Sequence, residues 1–173
     1  KKFVVYNSPI KNKKSKKFER KSLILYGNLS RGRDVFKEQI INYFSKFTEY
    51  NLYVVGSKGK NTGNIFFYET MKNEKLRKLI SKCHFSFVGY APDDFNSKYC
   101  APNKLFESLK CCTKVIAHNG NPWLSHMQKY DRNIIMMDFR NLDIKSLDDI
   151  DSYENSFAFD YNPYKKFMEV LCY

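Results

Sequence analysis

Ser22-Leu23-Ile24-Leu25-Tyr26-Gly27-Asn28-Leu29-Ser30-Arg31-Gly32-Arg33 decides the fold, because its apolar run stops abruptly at a loop with two glycines. A short run that is apolar at successive positions reads as a strand buried on both faces, and glycine is the strongest signal of where it ends. From Asp34 the period changes: Phe36, Ile40, Tyr43, Phe44 and Phe47 recur at helical spacing. Strand, glycine loop and helix make one α/β unit. Outward from it, Leu52-Tyr53-Val54-Val55-Gly56 reads as the next strand, Ser57 to Gly63 as a loop, and Ile65-Phe66-Phe67-Tyr68 as a third strand. Leu76, Leu79 and Ile80 mark a short helix before the strand Phe85 to Tyr90. Pro102 to Cys111 reads as helix, Val115-Ile116-Ala117 as strand, Pro122 to Lys129 as helix, Ile134 to Met137 as strand, and Pro163 to Cys172 as a C-terminal helix.

Six strands alternating with helices, many apolar on both faces, predict an α/β fold: a doubly wound, mostly parallel six-stranded sheet with helices on both faces. In such Rossmann-like sheets, ligands bind beyond the carboxyl ends of the strands. The loops Gly27 to Arg33, Gly56 to Gly63 and Tyr90 to Lys104 are therefore where function is expected.

Composition narrows the classes. A 173-residue chain that is 43% hydrophobic and 17% aromatic buries too much apolar surface to be disordered, and its length fits one domain with short appendages. The longest charge-free apolar stretches, such as Cys83 to Ala91, are about half of the ~20 residues a membrane helix needs. The absence of an initiator methionine before Lys1 points to a fragment of a longer protein. Of the formal net charge of +12, most sits in residues 1–22, where nine basic residues meet Glu19 alone. Residues 1–21 read as a basic linker or arm, which contact with nucleic acid or anionic lipid would explain as an alternative to plain solvation. Five cysteines without CxxC spacing and three dispersed histidines, His84, His118 and His126, form neither a disulfide framework nor a zinc set. Reduced thiols fit a cytoplasmic protein.

Two constellations carry chemistry. The first loop joins glycine amides to the guanidinium groups of Arg31 and Arg33, a combination suited to an anion, although an ordinary strand-to-helix turn reads the same way. It matches neither GxGxxG nor GxxxxGK[ST]. In the second, Tyr99-Cys100-Ala101-Pro102-Asn103-Lys104-Leu105-Phe106-Glu107, Pro102 suits the first helical turn and Ala101 brings no capping oxygen. The amides of Asn103 and Lys104 are thereby left for a ligand beside the Lys104 charge. Glu107, three residues on and on the same face, has the chemistry to bind a ribose diol; a plain surface Lys–Glu pair is the alternative.

The ordered set Tyr26 to Asp34, Leu52 to Gly56, Pro102-Asn103-Lys104-Leu105-Phe106-Glu107 and Lys114-Val115-Ile116-Ala117 resembles the C-terminal, donor-binding domain of GT-B glycosyltransferases, and more closely the retaining family called glycosyl transferase group 1. The likeness covers residues 22–140. It implies that residues 22–173 form a nucleotide-sugar-binding Rossmann-like domain whose N-terminal acceptor-binding partner domain lies elsewhere in a full-length enzyme, leaving this fragment inactive alone. It further implies that Arg31 and Lys104 are catalytic, stabilising the departing diphosphate. Gly27, Asn28, Pro102 and Asn103 would support that diphosphate, Glu107 would hold the ribose hydroxyls, and Gly56, Ser57 and residues Tyr68 to Thr70 would lie near the nucleobase. No metal and no separate cofactor is implied; the donor is a UDP- or GDP-type sugar and the product a surface polysaccharide or glycoconjugate. The family's first motif glutamate stands eight positions before the second, and here that place is Tyr99, a departure that leaves the donor sugar open. Peripheral attachment to the anionic inner face of the cell membrane through the arm is a further expectation. A nucleic-acid-binding module working through the arm, or a non-catalytic α/β module docking a partner through Phe157, Phe159 and Tyr161, are the alternatives; binding of nucleic acid is not expected on the first reading.

Overall fold

A computed structural model describes residues 15–27, 29, 36–89, 103–128 and 131–150, apart from the side chains of Trp123 and His126. Six strands, β1 (Ser22–Tyr26), β2 (Asn51–Val55), β3 (Ile65–Tyr68), β4 (Phe85–Val88), β5 (Lys114–His118) and β6 (Ile134–Met137), form one sheet in the order β3-β2-β1-β4-β5-β6. Every pairing is parallel. The described α-helices are α1 (Lys37–Lys46), α2 (Asn73–Lys82), α3 (Asn103–Lys110) and α4 (Pro122–Gln128). None of the described helices is long and apolar enough to cross a membrane.

Alternation along the strands builds two cores. Leu23 and Leu25 of β1, with Leu52 and Val54 of β2, pack under Ile40 and Phe44 of α1 on one face. The intervening Ile24 and Tyr26, with Tyr53 and Val55, pack against Ile80 of α2 on the other. On that same second face Val88, Val115, Ala117 and Ile134 meet Leu105, Phe106 and Leu109 of α3 and Leu124 and Met127 of α4. Both faces of β1 are thus covered, so each fully buried aliphatic side chain contributes about 1.5–3 kcal/mol. The first face is completed by residues 139–150, whose Phe139, Ile144 and Leu147 join the α1 core around a 3-10 turn at Lys145–Leu147.

Differences from the sequence reading are confined to ends. The strand expected over Phe85 to Tyr90 ends at Val88, and the helix expected from Pro102 begins, among the described residues, at Asn103. β2 and β3 are joined by a nine-residue loop with no helix. That short parallel connection is held by Asn64, whose buried amide nitrogen donates to the carbonyls of Phe44, Phe47 and Tyr50 at 3.0, 3.2 and 2.9 Å, tying the loop to the end of α1. The expected C-terminal helix and the aromatics Phe157, Phe159 and Tyr161 lie outside the described residues.

The chain moves outward from β1 to β3 and returns to β4 beside β1. This reversal makes the carboxyl ends of β1 and β4 the switch point where ligands of such sheets bind.

Candidate functional site

At that rim Gly27, which opens the first loop, meets Lys104 of the second constellation, while Arg31 and Arg33 lie outside the described residues. Gly27 follows β1 directly, with φ +126°, and its amide donates to the Val55 carbonyl at 3.1 Å. The side chain of Lys104, from the first turn of α3, lies across it: a Cβ built on Gly27 would stand 2.5 Å from Lys104 Cε and 2.7 Å from Nζ. Gly56, φ +100°, ends β2 beside it, and a Cβ there would fall 1.8 Å from the Gly27 carbonyl oxygen. Positive φ favours glycine at both positions, and at Gly56 the backbone carbonyl also leaves no room for a side chain, whereas at Gly27 the neighbour is the movable end of Lys104. The rim is therefore a stretch of backbone without side chains across two adjacent strands, its Gly27 and Gly56 amides donated to the Val55 and Tyr68 carbonyls, with an ammonium group above it.

The remaining expected residues fall around this seat. Ser57 is buried next to Gly56, and its hydroxyl donates to the Lys58 carbonyl at 3.3 Å. Tyr68, the large hydrophobic residue that stands exposed among those described, adjoins the seat through its carbonyl, which accepts the Gly56 amide at 2.8 Å. Asn103 is exposed at the start of α3. Glu107, one turn further on, faces α2, where Arg77 Nε donates to its Oε1 at 3.4 Å. Gly27, Gly56, Ser57 and Lys104 are thus brought together, with Glu107 on the flank of α3. Asn28, Arg31 and Pro102 lie outside the described residues.

Three contributors were not singled out in the sequence. Lys37, the first residue of α1, reaches Ser57 Oγ at 3.4 Å from the opposite face of the sheet and pairs with Glu38 at 3.1 Å. It is one of many lysines, and only its place at the start of a helix after a glycine loop would have marked it. Tyr26 reads as core, yet its hydroxyl binds the Lys104 carbonyl at 3.0 Å. His118, at the carboxyl end of β5, is buried between Phe36 and Phe139, with ring centroids 4.3 and 5.3 Å away. Its Nδ1 accepts the Phe139 amide at 3.3 Å. Burial pushes the His118 value down, Arg140 pushes the same way, and Asp138 and the Met137 carbonyl oppose it. Gly89, after β4, abuts the same rings, since a Cβ there would lie 2.5 Å from Phe139 Cε2. Aromatic rings thus pack this face of the rim at β4 and β5.

None of the described cysteines serves this rim. Burial pushes the Cys83 thiol up to about 12, which keeps it protonated, and Cys83, Cys111 and Cys112 are free thiols. Among the described residues no group of three histidine, cysteine or acidic side chains is placed to hold a metal ion. No protein-family model matches the chain, and no curated protein matches it.

Proposed function

We propose that the chain is the donor-binding domain of a glycosyltransferase, taking a nucleoside-diphosphate sugar at the seat formed by Gly27, Gly56 and Lys104. The observation that carries the reading is the Lys104 ammonium lying over Gly27, since residues 77 positions apart meet where a diphosphate would need positive charge and a close approach to the chain that no side chain blocks. Lys37 supplies a second ammonium from the other face, beside Ser57.

The reaction breaks the bond between the anomeric carbon and the diphosphate oxygen, and an acceptor hydroxyl oxygen bonds to that carbon as its proton leaves. Charge grows on the departing diphosphate, so Lys104, and Arg31 by the sequence reading, would stabilise the transition state more than the bound donor. Glu107 is the group proposed for the ribose hydroxyls, and Arg77 would hold its carboxylate in place through Oε1. The resemblance puts the acceptor site in a second domain, so this chain is expected to bind donor without turnover.

Calorimetric titration of the chain with UDP, GDP and their hexose conjugates tests this. We expect saturable binding of one nucleotide class, weakened about tenfold or more by Lys104→Met, as loss of a charge-assisted phosphate contact requires. Binding that resists moderate salt separates this reading from nucleic-acid binding by the basic arm, which falls steeply as salt rises. Absence of any heat, together with an unchanged melting temperature at millimolar nucleotide, would refute it.

A further inference from the structure

We infer that Tyr26 is a positioning residue for the Lys104 ammonium, acting through a buried hydroxyl chain that fixes the first turn of α3 against the end of β1. The inference rests on the diphosphate seat proposed above. Tyr26 is the last residue of β1, its side chain lies on the α2 and α3 face, and it is buried. Its hydroxyl donates to the Lys104 carbonyl at 3.0 Å and stands 3.0 Å from Ser108 Oγ. The Ser108 hydroxyl donates in turn to Ser86 Oγ of β4 at 2.9 Å. Three hydroxyls in a water-poor layer therefore link β1, α3 and β4, the strands and helix that converge at the switch point.

The next residue along the chain, Gly27, is the one the Lys104 side chain covers. The last residue of β1 and the residue after it thus meet Lys104 twice, Tyr26 at its backbone carbonyl and Gly27 beneath its amine. A lysine stem has four flexible carbons, so where its charge rests depends on how firmly its backbone is held. Apolar packing of Leu105 and Leu109 would keep α3 on the sheet without fixing its position along the strand direction to a fraction of an ångström; a directional hydrogen bond does that. Ser108 and Ser86 are buried polar residues in a layer otherwise filled by Leu105, Val88 and Val115; they bond each other, and Ser108 Oγ also meets the Tyr26 hydroxyl.

The experiment pairs Tyr26→Phe with Lys104→Met, singly and together, and reads inorganic pyrophosphate affinity by calorimetry. Tyr26→Phe is expected to weaken binding about tenfold in the wild type and less than about twofold in the Lys104→Met background, because a group that works through the ammonium has nothing to position once it is gone. Equal losses in both backgrounds, or no loss, would overturn the inference. A ligand-free measurement keeps the outcomes distinct: after reductive methylation with ¹³C-formaldehyde, the NMR resonance of Lys104 should shift in Tyr26→Phe and in Ser108→Ala while that of Lys37 stays in place. An unmoved Lys104 resonance overturns the positioning role. A shifted resonance in a protein that binds no pyrophosphate upholds it and defeats the diphosphate reading alone.

Discussion

At the amino-terminal rim of the sheet the Lys17 ammonium donates to the carbonyls of Cys83 and Cys112 and to Thr113 Oγ1, at 2.6, 2.8 and 3.2 Å. At the carboxyl-terminal rim the Lys104 side chain crosses the Gly27 backbone, which has no side chain of its own. The two ends of the same parallel sheet hold lysine charge by opposite means. At the amino end, chain segments converge as carbonyls leaving helices, and a lysine clasps them. Lys17 joins the ends of α2 and α3, Phe18 stacks on Tyr53 at 5.2 Å, and Lys21 reaches the Leu147 and Asp148 carbonyls at 3.4 and 2.7 Å. At the carboxyl end, loops leave the strands and helices begin, so amides and glycines dominate. This polarity of parallel sheets turns the carbonyl-rich ends of the helices toward one rim and their amide-rich starts toward the other, the rim where an anion is proposed to bind.

The contrast breaks most severely at Gly56. Gly56→Ala places a methyl group on the Gly27 carbonyl at a backbone angle alanine avoids, and should cost about 3 kcal/mol or more in urea unfolding. Gly63 is the control: its φ is +39° but a Cβ there meets nothing within 4 Å, so Gly63→Ala should cost about 1–2 kcal/mol from backbone conformation alone. Equal costs would mean that close approach of the two strand ends is not what fixes the seat.

The strands were legible in sequence because burial on both faces leaves a continuous apolar run, as in Ser22–Tyr26, and the glycines were legible because they follow those runs immediately. Lys104 was legible because proline, asparagine and lysine in sequence describe the opening of a helix. Tyr26 was not, since nothing local distinguishes a tyrosine that fills core from one whose hydroxyl meets a carbonyl 78 residues away. Lys17 was equally opaque: a lysine-rich stretch declares charge, while the carbonyls of Cys83 and Cys112 come together only once α2 and α3 are folded. Arg31, Asn28 and Pro102 belong to the sequence argument and lie outside the described residues.

Methionine in place of each lysine sharpens the comparison of the rims. Lys17→Met strips a donor from two carbonyls beside a buried threonine and should lower unfolding stability by about 2 kcal/mol while leaving nucleotide affinity unchanged. Lys104→Met should show the reverse pattern, with a stability change below about 1 kcal/mol and the loss of affinity described above. Thermal melts and calorimetry on the same two proteins decide the matter, and equal stability losses would erase the distinction between clasp and receptor.

The smallest expected effect concerns one histidine at each rim. His84 Nδ1 accepts the Ser22 amide at 3.2 Å near the start of β1, and His118 Nδ1 accepts the Phe139 amide at 3.3 Å beyond β5. Each bond needs an unprotonated nitrogen. Burial is the leading cause that lowers both values; Lys17 and Lys21 lower His84 further, and Asp138 partly offsets the effect at His118. In the unfolded chain both rings take up a proton near pH 6.5, whereas the native rings resist until lower pH. Stability is thus full above about pH 6.5 and declines as acid is added, until the native rings themselves protonate. Replacing either His118 or His84 with glutamine, whose side-chain oxygen is a non-titrating acceptor, should flatten part of the decline. Because those two ammonium groups stand only at the amino-terminal rim, raising salt should weaken the His84 contribution more than that of His118. Urea melts from pH 7.5 to 5 at low and high salt would show it, and an identical salt response from the two variants would mean that Lys17 and Lys21 act on His84 no more strongly than Asp138 and Arg140 act on His118.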